Sequence, residues 1–211
     1  MLQLGVVEEN IIDVAKILID MGNRQYFDLP ELQHEMEEVF VDAGCLNGIT
    51  TKNFIKWAKN SYKKIYCFEP DPHSAQVCHD ELQYLVKANK AVIINKAVTD
   101  KNGVIGFASY KNGYSHIGDG DIKVDTIAID DVLKNEKVTF IKMDIEGAEF
   151  EALNGARRII CEQRPKLAIS VYHKKDDIYD IPELLLSYHP DYKFYLRHYS
   201  PFYEKTILYA I

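Results

Sequence analysis

The sequence predicts an α/β fold, a mostly parallel nucleotide-binding sheet whose last strand is antiparallel. Short apolar, β-branched runs alternate with amphipathic stretches from residue 39 onward, the pattern of strands buried on both faces by helices. The run Val39-Phe40-Val41-Asp42-Ala43 then breaks into a turn carrying Gly44, Asn47 and Gly48 and leaves as the amphipathic stretch 50–57. Two glycines let the backbone bend and approach a ligand closely, and the helix start offers free N–H groups to it. A second buried run, Lys64-Ile65-Tyr66-Cys67-Phe68, ends in Glu69, an acid placed where such sheets hydrogen-bond a ribose diol. Together these features point to an adenosine-containing cofactor.

The chemistry of the turn selects among such cofactors. A dinucleotide fingerprint reads Gly-x-Gly-x-x-Gly, because a pyrophosphate needs close backbone approach. This turn reads Asp42-x-Gly44-x-x-Asn47-Gly48, with an acid before the first glycine and no third glycine. A carboxylate repels a pyrophosphate and attracts a sulfonium bearing an amino group, so the turn fits S-adenosylmethionine (SAM) better than NAD.

The elements follow in order. Glu8 to Met21 carries apolar residues at Ile11, Ile12, Ala15, Leu18 and Ile19, a helical stripe, and ends at Gly22. A short, mostly polar helix is expected over Pro30 to Glu38 with Leu32 and Met36 inward, so that residues 1–38 form a helical cap on a domain of 39–211. After Glu69, Asp71 and Pro72 open a helix to about Ala88 as cap and first residue. Ala91 to Val98 reads as the third strand, with Ala97 near the adenine end of the site. Val104 to Tyr110 and Ile122 to Ile129 read as an inserted hairpin around the polar, glycine-rich loop Lys111 to Gly120. A short helical bridge, Asp130 to Leu133, leads to a fourth strand, Val138 to Asp144, and a helix to about Cys161. Lys166 to Tyr172 is a fifth strand followed by His173, and Ile181 to Tyr188 one more helix. Phe194 to Tyr199 and Lys205 to Ile211 close the chain as a hairpin.

Composition narrows the class. With 47% hydrophobic and 27% charged residues in 211, the chain is globular and long enough for one substantial core. A formal net charge of −7 argues against non-specific nucleic-acid or anionic-membrane binding, which needs a basic face. No leader-like segment or apolar span opens the chain, and the expectation is a cytoplasmic protein. The four cysteines, Cys45, Cys67, Cys78 and Cys161, are scattered and read as small buried hydrophobes rather than a zinc or disulfide framework.

Val41 to Thr50, Phe68-Glu69-Pro70, Thr126 to Leu133, Leu196 to Tyr199 and above all Phe140-Ile141-Lys142-Met143-Asp144-Ile145-Glu146-Gly147-Ala148-Glu149 form a pattern. In that order they resemble the FkbM family of SAM-dependent methyltransferases. The resemblance runs from about Glu38 to the C-terminus. It implies the Rossmann-like class I methyltransferase fold, a seven-stranded sheet, and commonly methylation of hydroxyls on sugars or natural products. It also implies that Asp42, Gly44, Asn47 and Gly48 wrap the methionine and ribose of SAM, that Glu69 holds the ribose hydroxyls, and that Ala97 lies against the adenine. Cys45-Leu46-Asn47 between the glycines departs from the more common Asp-x-Gly-x-Gly.

Methyl transfer requires nucleophile and methyl in near-attack geometry, and a hydroxyl also needs its proton removed. The candidates lie at the carboxyl ends of strands, Asp144 and Glu146 after the fourth and His173 after the fifth. His173 is the first choice as base because an unperturbed imidazole titrates near working pH. The three could alternatively hold a divalent metal, a reading not favoured because no tight ligand spacing supports it. The expected partner is a small-molecule or glycan substrate. An NAD-dependent oxidoreductase and a non-catalytic SAM-binding descendant are the alternatives.

Overall fold

The computed structural model describes residues 24–108, 116–117 and 122–211. The expected helix over Glu8 to Met21 lies outside the described residues, as does the loop Lys111 to Gly120 except for positions 116 and 117. The main sheet holds β1 (Glu38–Ala43), β2 (Tyr62–Phe68), β3 (Ala91–Ile94), β8 (Phe140–Met143), β9 (Lys166–Ser170), β10 (Phe194–His198) and β11 (Thr206–Ala210). Its spatial order is β10-β11-β9-β8-β1-β2-β3. Neighbours from β9 to β3 are parallel, while β11 runs antiparallel to both β9 and β10. This is the expected sheet.

Side chains alternate across it. On β1, Val39, Val41 and Ala43 join one apolar cluster and Phe40 the other. The first cluster packs under α5 (Glu149–Asn154), α6 (Arg157–Gln163) and α7 (Asp177–Tyr188) through Leu153, Ile160 and Leu185. The second packs under α1 (Ile49–Trp57), α2 (Pro72–Glu81) and α3 (Gln83–Lys87) through Phe54, Cys78 and Leu85. Phe40 stacks on Phe54 with centroids 4.0 Å apart, which seats α1 over the centre of the sheet.

A second, smaller sheet carries β4 (Ala97–Val98), β7 (Ile122–Ile127), β5 (Gly103–Ala108) and β6 (His116–Ile117), in that order. The expected third strand is thereby split. Ala91–Ile94 stays beside β2, but Ala97–Val98 pairs with Thr126–Ile127 of the second sheet. The side chain of Asn95 donates to the carbonyls of Glu69 (2.8 Å) and Pro70 (3.0 Å), which turns the chain between them.

The expected helix at Pro30 to Glu38 is absent. The segment forms turns and extended chain, Leu32 is buried as expected, but Met36 is 86% exposed and Glu38 already belongs to β1. Its polar face offers too little apolar area to sustain a short helix, and the buried Glu38 carboxylate is drawn into the sheet to meet Lys166 Nζ at 2.8 Å. The helix after the fourth strand is likewise two, broken at Gly155, where an added Cβ would lie 2.0 Å from the Thr99 carbonyl oxygen. Ile129–Val132 forms the short α4 bridge. Cys161 is exposed, unlike the three other cysteines. No helix among the described residues is long and apolar enough to cross a membrane.

Candidate active site at the carboxyl ends of the strands

The carboxyl ends of β1, β2 and β8 converge on a cleft with a cavity volume of about 100 Å³, lined by Gly44, Leu46, Glu69, Ala97, Asp144 and Glu146 among others. The glycine turn forms one wall. Gly44 and Gly48 have φ of +76° and +79°, and the Gly44 and Cys45 amides both donate to the Phe68 carbonyl at 2.9 and 3.1 Å. The turn crosses the end of β8 so closely that a Cβ on Gly44 would sit 1.9 Å from the Asp144 carbonyl oxygen. Only glycine fits there.

Glu69 forms the next wall. Its Oε2 accepts from the Leu46 amide (3.0 Å) and its Oε1 from the Asp71 amide (2.9 Å). Burial pushes its carboxyl up to about 7, against the opposing pull of those two bonds. Each oxygen keeps a further lone pair for a ligand hydroxyl.

Of the expected cofactor residues, Gly44, Glu69 and Ala97 line this cleft. Asn47, Gly48 and Asp42 do not. The Asn47 side chain accepts from the Ile49 amide at 3.2 Å. Gly48 caps α1 with Leu82 and Cys78 packed against it. Asp42 is fully enclosed beneath the turn, where its Oδ2 accepts from Thr51 Oγ1 (2.8 Å) and its Oδ1 pairs with Lys142 Nζ at 3.0 Å. The same ammonium donates to the carbonyls of Ala43 (3.1 Å) and Gly44 (2.7 Å). Asp42 therefore acts on the turn through Lys142. Burial opposes the charge of Lys142, but Asp42 and Asp144 outweigh it and hold the ammonium above its ordinary range.

The expected catalytic residues do come together. Asp144 follows β8, and its Oδ2 accepts from Tyr26 Oη (2.7 Å) while its Oδ1 accepts from Tyr172 Oη (3.0 Å). Burial raises its carboxyl, yet Lys142, His173 and the Tyr26 hydroxyl leave it below the ordinary value. Glu146 and Gly147 have φ of +55° and +95°, a strained turn that swings Glu146 toward the cleft. Burial, Asp144 and Glu149 push the Glu146 carboxyl up to about 7, against the charge of His173.

His173 corrects the sequence reading. Its Nδ1 lies 2.9 Å from Glu149 Oε1, and its Nε2 lies 3.5 Å from Asp144 Oδ1 and 3.4 Å from Glu146 Oε2. Burial alone would lower its pKa, but the bond to Glu149 and the three carboxylates push it up to about 9. The ring surrounded in this way holds its proton at neutral pH and is a poor resting base.

Four contributors went unseen in the sequence, Tyr26, Lys142, Glu149 and Tyr172. Lys142 did leave a signal, a lysine inside an otherwise apolar strand, which is seldom buried without a partner. Glu149 is fully buried and accepts from the Ile145 amide (2.8 Å) as well as facing His173. Nothing local separates it from the exposed Glu151.

The sheet order, the antiparallel β11 and the cleft at the carboxyl ends of β1, β2 and β8 define a Rossmann-like fold of the class I methyltransferase kind. The chain belongs to the FkbM methyltransferase family, since the model of the methyltransferase FkbM domain matches residues 42–199. It is similar to the 2-O-methyltransferase NoeI of Sinorhizobium fredii (strain NBRC 101917 / NGR234), 25% identical over 158 residues that cover 63% of either chain. Its structure resembles that of methyltransferase FkbM from Methylobacillus flagellatus KT, with a TM-score of 0.77 and 31% identity, over 90% of this chain and 47% of that one. Aeropyrum pernix fibrillarin, solved with natively bound S-adenosyl-L-methionine, shares the fold at a TM-score of 0.52 and 14% identity, over 91% and 74% of the two chains. The chain thus spans less than two thirds of the length of NoeI and about half that of the Methylobacillus protein.

Proposed function

We propose that this protein is a SAM-dependent methyltransferase that O-methylates a hydroxyl of a sugar or small natural product. The observation that carries the reading is the pairing of two acids across one cleft, Glu69 at the end of β2 and Asp144 at the end of β8, with the glycine turn between them. The residues suit the cofactor. Glu69 has acceptor capacity for a ribose diol, Ala97, Val98 and Phe107 offer an apolar wall for a purine, and the Asp144 end favours a cation. Bound there, SAM supplies an electrophilic methyl whose S–C bond breaks as the acceptor oxygen forms its new bond.

The chain's own task is to orient the acceptor and deal with its hydroxyl proton. Asp144 and Glu146, which line the cleft beside His173, support a role for that cluster in this task. Membership of the FkbM family supports methyl transfer over NAD-dependent oxidation, and the printed activity of NoeI supports oxygen as the acceptor atom.

The test is a thermal-shift titration with SAM, S-adenosylhomocysteine and NADH in parallel, followed by a methyl-acceptor screen of glycans and hydroxylated metabolites. A ligand at a hundred times its dissociation constant stabilises by about 2.7 kcal/mol. A shift with SAM and its product, followed by an ether product, bears the reading out. A shift with NADH alone overturns it, and SAM binding without transfer to any acceptor returns the non-catalytic alternative.

A further inference from the structure

Three cysteines that lie far apart along the chain meet in the fold. Cys45 stands in the glycine turn after β1, Cys67 near the end of β2 and Cys78 within α2. Parallel pairing sets Cys67 beside Asp42, next to the turn, and α2 packs Cys78 into the same apolar cluster. The three sulfurs all lie within 4.8 Å of one another, with Cys45 Sγ and Cys78 Sγ at 3.4 Å. Gly48 helps to make the room, since a Cβ there would stand 3.3 Å from Cys78 Sγ. All three cysteines are buried, and methyl transfer uses none of their sulfurs.

We propose that Cys45, Cys67 and Cys78 form a three-sulfur site for a soft monovalent cation, Cu⁺. Three metal–thiolate bonds of about 2.3 Å spread at about 120° set their sulfurs about 4.0 Å apart. That spacing lies inside the limit that holds for all three pairs, and the close pair has to part by only about 0.6 Å to reach it. Thiolate ligands select Cu⁺, Zn²⁺ or an iron–sulfur cluster. A closed Zn²⁺ site takes four ligands and an iron–sulfur cluster takes four cysteines. Among the described residues no fourth histidine, cysteine or carboxylate joins the three sulfurs. Of the three, Cu⁺ is the one that a trigonal set of sulfurs satisfies.

The surroundings suit such an ion. Thr51 Oγ1 donates to Asp42 Oδ2 at 2.8 Å and lies 3.3 Å from Cys67 Sγ, so it holds that sulfur in place from outside the ligand set. Thiolates around Cu⁺ carry a net negative charge, and cations stand near them, Lys142 by Cys45 and both Lys52 and His79 by Cys78. Asp42 opposes them at Cys67. Ligation releases the thiol protons to water and leaves the copper as Cu⁺, so no oxidant or reductant takes part. The bound ion ties the glycine turn to β2 and α2, the elements that wall one side of the cleft. Its binding does not rest on the methyltransferase reading.

The decisive experiment titrates the reduced full chain with Cu⁺ under nitrogen, in competition with a chromogenic Cu⁺ chelator. X-ray absorption at the copper edge is then recorded on the loaded wild-type protein, and a cooperative thermal transition checks that each variant is folded. The expected result is one Cu⁺ per chain, a neighbourhood of three sulfurs without nitrogen or oxygen, and a Tm that rises on loading. Cys45→Ala, Cys67→Ala and Cys78→Ala should each weaken binding by roughly tenfold or more. Cys161→Ala, at the exposed cysteine outside the cluster, should leave it unchanged. Folded wild-type protein that takes no Cu⁺ from the chelator overturns the proposal. So does a copper neighbourhood of two sulfurs, or one that contains nitrogen or oxygen, and this readout needs no variant to fold. Binding lost in Cys161→Ala but kept in the three cluster variants overturns it as well.

Discussion

Lys142 shows how one side chain can organise a site without touching its contents. The ammonium is 1% exposed and joins the buried Asp42 carboxylate to two carbonyls at the start of the glycine turn. Breaking a buried pair by removing one partner leaves an uncompensated charge, at a cost of about 3–5 kcal/mol. Lys142→Met should therefore lower unfolding stability by about that amount in urea denaturation. Asp42→Asn combined with Lys142→Met should cost less than the sum of the single changes, because the two sites share one interaction. Strict additivity would show that the pair does not couple. At this scale, the types of Glu69, Asp144 and His173 were legible from the strand ends that carry them. What Asp42 and His173 do was not, because the partners that decide it are Lys142, one hundred residues on, and Glu149, across the gap between two strands.

At the scale of elements, close backbone approaches set where strands and helices may lie. The glycine turn crosses the tip of β8, and the break between α5 and α6 lies against the Thr99 carbonyl. At Gly44 an alanine would meet both a left-handed φ of +76° and a carbonyl oxygen 1.9 Å away. The conformation alone costs about 1–2 kcal/mol for an L-residue. In a domain of this size each kcal/mol shifts Tm by roughly 2–4 °C. Gly44→Ala should therefore lower Tm by more than about 4 °C and weaken S-adenosylhomocysteine binding, both readable in one thermal-shift experiment. An unchanged Tm would mean that the turn is free to move off β8. The helix limits and the division of Ala91 to Val98 between two sheets were not legible, because local apolar pattern is the same on either side of Asn95 and Gly155. A tertiary contact breaks each run.

At the scale of the whole molecule, three upward-shifted groups stand at the carboxyl edge of the sheet. Glu69 and Glu146 stand at about 7 in the fold against an ordinary 4.5, so folding retains protons there that the unfolded chain loses. Their contribution is full below about pH 4.5 and is lost as pH rises through 7. His173 stands at about 9 against an ordinary 6.5, so its contribution is full below about pH 6.5 and lost as pH rises through 9. All three slopes have the same sign. Bonds to Cys45 and Cys67 lower the Cys78 thiol to about 4, which gives the opposite slope, so in a Cys78→Ala background the cofactor-free protein should unfold at a higher urea concentration at pH 5 than at pH 9. His173 alone accounts for up to about 3 kcal/mol at 1.36 kcal/mol per pH unit. An equal or higher midpoint at pH 9 would show that the carboxylates do not face the ring as they do in this structure.

The sequence by itself determined the class of fold, the alternation of strands and helices in the main sheet, the glycine turn and the acids at the strand ends. Each of these is written in local pattern, since burial on two faces, backbone freedom at glycine and the place of a residue at a strand terminus depend on near neighbours. The tertiary structure alone decided which acids face the cleft and which serve the turn from below, that the ring of His173 sits among three carboxylates, and that Tyr26 reaches Asp144 from 118 residues away. Those outcomes depend on charges and hydrogen bonds brought together by parallel crossovers, and such distances have no counterpart along the chain.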